Sequence, residues 1–309
     1  MDINKKEFFV PSSDGINTLS GIIYYPKTEP KGYFHIVHGM TEHIERYEKT
    51  MTALAEEGFI CFAYDNLGHG KTAKAEDDLG FIANKKGYDL LARDVKLFSD
   101  AVFAYCKKEL PYILMGHSMG SFIVRYASEK YVCPDRLIVM GTGAANPAAD
   151  AGLMLISIIK LFKGDKYKSK LIQDLAFGSY NDRFKDELSA APSPWLTTDV
   201  SVRQKYSADK YCSFKFGVSA MGDLIRIMKY SNRHAWFKNI RKDMPILLVS
   251  GEDDPVGNYG RGVRAVEKKL LAAGADVKCV LYKGARHEIL NDFCYEDVKR
   301  DILEFCNFN

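Results

Sequence analysis

The sequence predicts an α/β fold, with a mostly parallel sheet flanked by helices and interrupted by an inserted, mainly helical segment. Three observations predict it. Short apolar runs that end in glycine or a turn (YFHIVHG, FICFAYD, PYILMGHS, RLIVMGTG, MPILLVSG) alternate with stretches of helical spacing. Strands alternating with helices imply right-handed crossovers and parallel pairing. This rhythm stops near residue 144 and resumes near residue 240. A length of 309 residues lies where a single hydrophobic core stops growing, so one core with an insertion fits best. The division is a first core part at 1–143, a helical cap or lid at 144–240 and a second core part at 241–309.

The elements follow in order. FFV and GIIYY flank a polar, glycine-containing stretch and read as an opening hairpin. A helix over about 46–57 is stopped by Gly58. Leu91, Val95, Phe98, Val102 and Tyr105 recur at three- and four-residue steps, one face of a helix. A further helix starts near Met119, directly after PYILMGHS. Past the insertion, Val263, Val266 and Leu270 mark a helix, VKCVLYKG a strand, and 298–305 a last helix. Inside the insertion, 151–162 is apolar apart from Lys160 and is followed by Lys163, Lys166, Lys168 and Lys170. The ordinary expectation for such a stretch is a helix packed on the core with a solvated basic end. Docking on an anionic membrane surface is the other reading.

Composition excludes several classes. Hydrophobic residues at 47% and charged residues at 27% are ordinary globular values. The 43 basic and 40 acidic residues balance to +3, which gives no electrostatic ground for nucleic-acid binding. The seven cysteines are odd in number and no two form C-x-x-C, so reduced thiols are expected rather than a zinc site or disulfide framework. MDINKKEFFV contains no apolar run of signal-peptide length. A cytoplasmic location is the resulting expectation.

Gly116-His117-Ser118-Met119-Gly120 fits G-x-S-x-G between a strand and a helix, the context of a nucleophile elbow. A serine hydroxyl needs a base, and the chain order in this architecture is Ser, then Asp or Glu, then His. After Ser118 the histidines are His234, inside the insertion, and His287, in a loop after VKCVLY. Position favours His287. The acid is expected after MPILLVSG, where Glu252, Asp253 and Asp254 stand together and spacing does not choose among them. Acyl transfer also needs two N–H donors for the oxyanion. Met119, after the serine, and Met40, in the loop opened by His38-Gly39, are the expected pair. No cofactor or metal is required.

Together these residues resemble the monoacylglycerol lipase and lysophospholipase branch of the α/β-hydrolase fold, a group of serine-aminopeptidase-like hydrolases. The stretch HGMTEHIERYEKTMTALAEEGFICFAYDNLGHGKT is similar to its HG-x-x-EH…RY…D-x-x-GHG signature, and GHSMG to its elbow. GEDDPVG resembles its acid loop, which implies Asp254 as the acid, and GARHEIL its histidine loop at His287. FGSYNDRF and SPWLTTD resemble the cap of bacterial lysophospholipase-like members. Asp65 and His69 match the signature and read as structural. Where mammalian monoacylglycerol lipases carry a cysteine three residues after the aspartate, this chain has Gly257. The resemblance implies a serine hydrolase of fatty-acyl esters acting through an acyl-enzyme. The alternatives are an aminopeptidase on the same residues, with Asp174, Asp182, Glu187 or Asp199 binding a free amine, and a non-catalytic binding protein.

Overall fold

Strands that are apolar on both sides are stable only inside a sheet covered on both faces, and the chain folds accordingly. The computed structural model describes residues 4–307. Its eight strands are β1 (Asn4–Pro11), β2 (Thr18–Tyr25), β3 (Gly32–Val37), β4 (Phe59–Tyr64), β5 (Tyr112–His117), β6 (Arg136–Met140), β7 (Ile246–Gly251) and β8 (Val277–Tyr282). They form one sheet in the order β1-β2-β4-β3-β5-β6-β7-β8. The expected hairpin β1–β2 is antiparallel, as is β2 on β4, and the remaining pairs are parallel.

Alternation along each strand divides the interior into two cores. Tyr33 and Val37 of β3 and Tyr112 and Leu114 of β5 face one side. There they meet Leu91, Val95, Phe98 and Val102 of α2 (Gly87–Cys106), Phe122 and Ile123 of α3 (Met119–Lys130), and Val263, Val266 and Leu270 of α9 (Arg261–Ala272). Phe34, Ile36, Ile113 and Met115 face the other side. They meet Met51 and Leu54 of α1 (Glu48–Glu56) and Val298 and Ile302 of α10 (Tyr295–Cys306). Two details differ from the sequence reading. Tyr105 is 46% exposed, and its ring packs on Phe8 at 5.4 Å. The last helix starts at Tyr295, whose ring closes the α10 side of the core.

Between β6 and β7 the described residues contain helices and no strand: α4 (Ala149–Lys163), α5 (Lys170–Phe177), α6 (Val200–Ala208), α7 (Val218–Ser231) and α8 (His234–Asn239), with a 3-10 turn at Asp182–Glu187. The last two are part of the core layer. Val218, Met221, Leu224 and Ile227 of α7 and Trp236 of α8 are buried with α2 and α3. Arg125 of α3 pins them. Its guanidinium is fully buried, donates to Thr142 Oγ1 (3.1 Å), Ser231 O (2.6 Å) and Asn232 Oδ1 (2.9 Å), and lies 4.4 Å from the Trp236 ring. Burial pushes its pKa down to about 9.

The expectation that 151–162 packs on the core is met on one flank only. Only Ile156 of α4 is buried, while Met154, Ile158, Leu161 and Phe162 are 66%, 50%, 79% and 77% exposed. The helix is apolar on every side but has one neighbour flank. Leu155, Ile156 and Ile159 reach the core cluster that includes α7, and no second element covers the rest among the described residues.

Phe98 packs against the sheet beneath β1 and β4, with its ring 4.7 Å from Tyr64 and 5.8 Å from Phe8. Phe98→Ala is expected to destabilise the fold by about 3–5 kcal/mol, measured by chemical denaturation. A loss below about 1 kcal/mol would mean that this layer is loosely packed.

Candidate active site

The turn from β5 into α3 is held by the absence of side chains. A Cβ on Gly116 would stand 2.2 Å from Gly120 O, and one on Gly120 would stand 2.0 Å from Val37 O. Both distances are impossible for carbon, so α3 can press onto the β3–β5 seam only with glycine at these positions. Ser118 between them takes φ 54° and ψ −118°, a conformation a non-glycine residue adopts only under constraint. Ser118 N–H donates to Met140 O (2.9 Å), which ties the elbow to β6.

His287 follows β8 as the sequence reading expected. Its Nδ1–H donates to Asp254 Oδ2 at 2.9 Å, both side chains being almost wholly buried. That bond leaves Nε2 as a proton acceptor. Asp254 Oδ2 also accepts from Ser250 Oγ (3.2 Å), and Oδ1 from Val256 N–H (2.8 Å). Of the three carboxylates left open by spacing, Asp254 alone is buried and reaches the imidazole. Glu252 is exposed and Asp253 half-buried. His234 is exposed on α8, away from this group.

Met119 is the first residue of α3, and first-turn amides have no acceptor within a helix. The loop after β3 abuts the elbow: a Cβ on Gly39 would lie 2.9 Å from Ser118 Cβ. Gly39 N–H is already committed to Glu42 Oε1 (2.5 Å), and Met40 N–H is the next amide of this loop. Its direction is set from behind. His38 Nδ1–H donates to Gly39 O (2.8 Å) and its Nε2 accepts from Asn66 N–H (2.8 Å). Since C=O and N–H of a trans peptide point oppositely, holding Gly39 O orients Met40 N–H. Burial lowers the pKa of His38, against the pull of Asp65 and Glu42, in keeping with a neutral ring. Asp65 and His69 are structural, as expected. Asp65 accepts from Ile44 N–H (2.9 Å) and Lys71 N–H (2.7 Å), and burial lowers His69 to about 3.

Several residues around the site went unread in the sequence. Glu42 Oε1 also accepts from Tyr47 OH (3.0 Å) and His117 Nδ1 (3.0 Å), while Oε2 accepts from Arg46 (3.1 Å). Arg46 forms a fork with Glu288 at 2.7 and 2.6 Å. Glu42, His43 and Arg46 were visible only as letters of the HG-x-x-EH…RY motif. From the insertion, Trp195 places its ring 5.0 Å from that of His287, and Tyr180 packs on Trp195 at 5.0 Å. Glu288 N–H donates to Leu196 O (2.7 Å), and Arg286 to Pro194 O (2.7 Å) and to Glu187. Residues 180–199 are thus bonded onto the histidine loop. His43, Asp209 and Cys212 lie within 4.8 Å of one another, with donors suited to zinc. However, His43 Nε2 is bonded to Asp209 Oδ2 (2.8 Å), and the Arg46 cation bears on Cys212. His43 and Asp209 are thus already paired with each other.

Residues 28–293 match the family described as serine aminopeptidase, S33. The chain is 30% identical over 275 residues to a human monoglyceride lipase, covering 85% of this chain and 77% of that one. It is 23% identical to an uncharacterized abhydrolase domain-containing protein of Dictyostelium discoideum, covering 93% of this chain but only 27% of that one. Among solved structures, a highly thermostable carboxyl esterase from Bacillus coagulans superposes with a TM-score of 0.89 at 29% identity over 98% of both chains.

Gly120→Ala is expected to abolish esterase turnover and to lower the melting temperature, because the new methyl meets the Val37 carbonyl. A variant with wild-type melting temperature and turnover would show that α3 does not rest on β3 as described.

Proposed function

The chain belongs to the serine aminopeptidase S33 family of α/β-hydrolases, and from that premise we propose that it cleaves carboxylic esters of fatty acids, a monoacylglycerol or lysophospholipid, through an acyl-enzyme. The observation that carries the reading is the buried His287–Asp254 pair at 2.9 Å in one site with a serine on a strained elbow. In this reading Ser118 Oγ attacks the ester carbonyl while His287 Nε2 takes its proton. Asp254 holds the imidazole in the required tautomer and stabilises the imidazolium. The amides of Met40 and Met119 receive the developing oxyanion. His287 then protonates the departing alcohol, and water activated by the same imidazole releases the fatty acid.

Two considerations favour an ester over a peptide with a free amine. The human relative is a monoglyceride lipase and the Bacillus coagulans neighbour a carboxyl esterase. In addition, each acidic residue considered for amine binding is engaged: Asp174 with Lys170, Asp182 with Lys185, Glu187 with Arg286 and Arg203, and Asp199 as the cap of α6. The stretch 144–217 acts as the lid, its Trp195 and Tyr180 roofing the histidine. The exposed apolar side of α4, next to Lys163 and Lys168, is the surface for peripheral contact with a lipid bilayer. No helix among the described residues is long and apolar enough to cross one.

Ser118→Ala is expected to lose p-nitrophenyl ester turnover and fluorophosphonate labelling while keeping its melting temperature. Wild-type turnover in this variant would overturn the nucleophile. Asp254→Asn should cost on the order of a thousandfold or more in kcat, and Glu252→Gln and Asp253→Asn far less. A dominant loss at Asp253 would move the acid. A panel of monoacylglycerols, lysophospholipids and aminoacyl amides decides the substrate class.

For the surface, Leu161→Ser with Phe162→Ser should weaken co-sedimentation with anionic phospholipid vesicles by about tenfold, leaving p-nitrophenyl acetate turnover unchanged. Unaltered partitioning would remove α4 as the contact.

A further inference from the structure

Two residues around the site hold a left-handed backbone without being glycine: Ser118 at φ 54° and Thr41 at φ 51°. Each stands beside an amide expected to receive the oxyanion, Ser118 before Met119 and Thr41 after Met40. For a β-branched residue such a φ is an outlier that persists only where the surroundings impose it. The elbow glycines impose it on Ser118. For Thr41 the constraint comes from the insertion. Thr41 Oγ1 lies 2.8 Å from Met40 O and 2.8 Å from the hydroxyl of Tyr206 on α6. A hydroxyl has one proton. Both contacts hold a proton only if Thr41 donates to the Met40 carbonyl and Tyr206 donates to Thr41.

Tyr206 is fastened in that place. It lies one turn after the buried Arg203, on the same face of the helix. Its ring centre is 4.9 Å from the Arg46 guanidinium carbon, and just past the helix Asp209 bonds His43 (2.8 Å). The end of α6 is thus attached to residues 41, 43 and 46 of the loop after β3. That loop abuts the serine, since a Cβ on Gly39 would lie 2.9 Å from Ser118 Cβ. Met40 stands between two peptides, each held by its carbonyl: His38 donates to Gly39 O and Thr41 to Met40 O. With both planes fixed, the Met40 amide has no soft dihedral on which to swing.

We propose that Thr41 and Tyr206 are positioning residues: the Tyr206 hydroxyl, carried by the lid, holds Thr41 in its left-handed conformation and through it the amide of Met40. The proposal rests on the reading of Met40 as an oxyanion donor. It makes the lid part of the catalytic apparatus as well as a wall for the acyl chain. An oxyanion donor contributes by being in place before charge develops, so loosening it lowers the rate without weakening substrate binding. An acetate ester, too short to need an acyl trench, then depends on the lid as much as a long-chain ester does.

The test is a double-mutant cycle of Tyr206→Phe and Thr41→Val on p-nitrophenyl acetate and p-nitrophenyl laurate. Tyr206→Phe removes the hydroxyl and keeps the ring beside Arg46. Thr41→Val removes the other hydroxyl and keeps the branched shape. Each should lower kcat on both esters about tenfold, less than the roughly hundredfold or more that follows outright loss of an oxyanion donor, with KM unchanged. The double variant should lose no more than the worse single one, because both remove the same bond. Thr41→Ser should recover most of what Thr41→Val loses. Affinity for a trifluoromethyl ketone, whose adduct on the serine carries the oxyanion, should fall by the same factor as kcat/KM. Wild-type kcat in Tyr206→Phe, losses that multiply, or unchanged ketone affinity overturns the proposal. A loss confined to KM for laurate also overturns it and puts Tyr206 in the acyl trench. If Thr41→Val fails to fold, Thr41→Gly replaces it. Glycine takes the left-handed backbone without support, so Tyr206→Phe should be silent in that background. Failure of a fluorophosphonate to label Ser118 in the wild type overturns the catalytic reading instead, while the cycle read in melting temperatures still reports the Thr41–Tyr206 pair.

Discussion

The contact on which the site depends is one where no side chain is present. Gly120 lets the first turn of α3 rest on the Val37 carbonyl, and Gly116 lets β5 turn under it. With the helix this close, Ser118 is driven into its positive-φ conformation and the loop after β3 lies against it. The N-terminal end of α3 then brings unpaired amides and a partial positive charge to the serine.

Around the elbow, buried charges are arranged so that few stand alone. Glu42 and Glu288 share Arg46, and Glu42 also meets His117. Ion pairs in such an interior contribute modestly as pairs, but removing one member leaves a charge without compensation, which costs about 3–5 kcal/mol. The network therefore gives uniqueness of arrangement more than stability. It joins the β3 loop, β5 and the histidine loop, three segments distant in sequence, through the same two carboxylates. The insertion joins from above, through Trp195 on the imidazole and the Glu187–Arg286 pair.

Much of the fold was legible because it rests on periodicity. Leu91, Val95, Phe98 and Val102 are all buried, and each strand from β3 to β7 was visible as an apolar run. The placement of Ser118 after β5 and of His287 after β8 was legible because motif and strand order give it. The choice of Asp254 was not available from spacing, since three adjacent carboxylates differ only in burial and direction. His117 was hidden because the motif treats its position as free. Its partners, Glu42, Tyr47 and the His287 carbonyl, come from segments far away in the chain. Which flank of α4 is exposed was not legible for a related reason. An all-round apolar helix says that contacts are wanted, and whether a neighbour supplies them depends on tertiary placement.

The insertion between β6 and β7 looks like a unit in the sequence, yet the structure divides it. Residues 149–208 lie outside the main layers apart from local anchors such as Ile156 and Ile172, while α7 and α8 complete the core and supply the acceptors Ser231 O and Asn232 Oδ1 to the buried guanidinium of Arg125. Modular exchange between relatives is constrained by that division. A chimaera that swaps everything from 144 to 240 leaves Arg125 only Thr142 and Gly143, takes away Ser231 and Asn232, and opens a hole where Trp236 was. A graft confined to the part before α7 leaves the host interior intact, so the portion free to diversify in shape is shorter than the break in strand rhythm suggests.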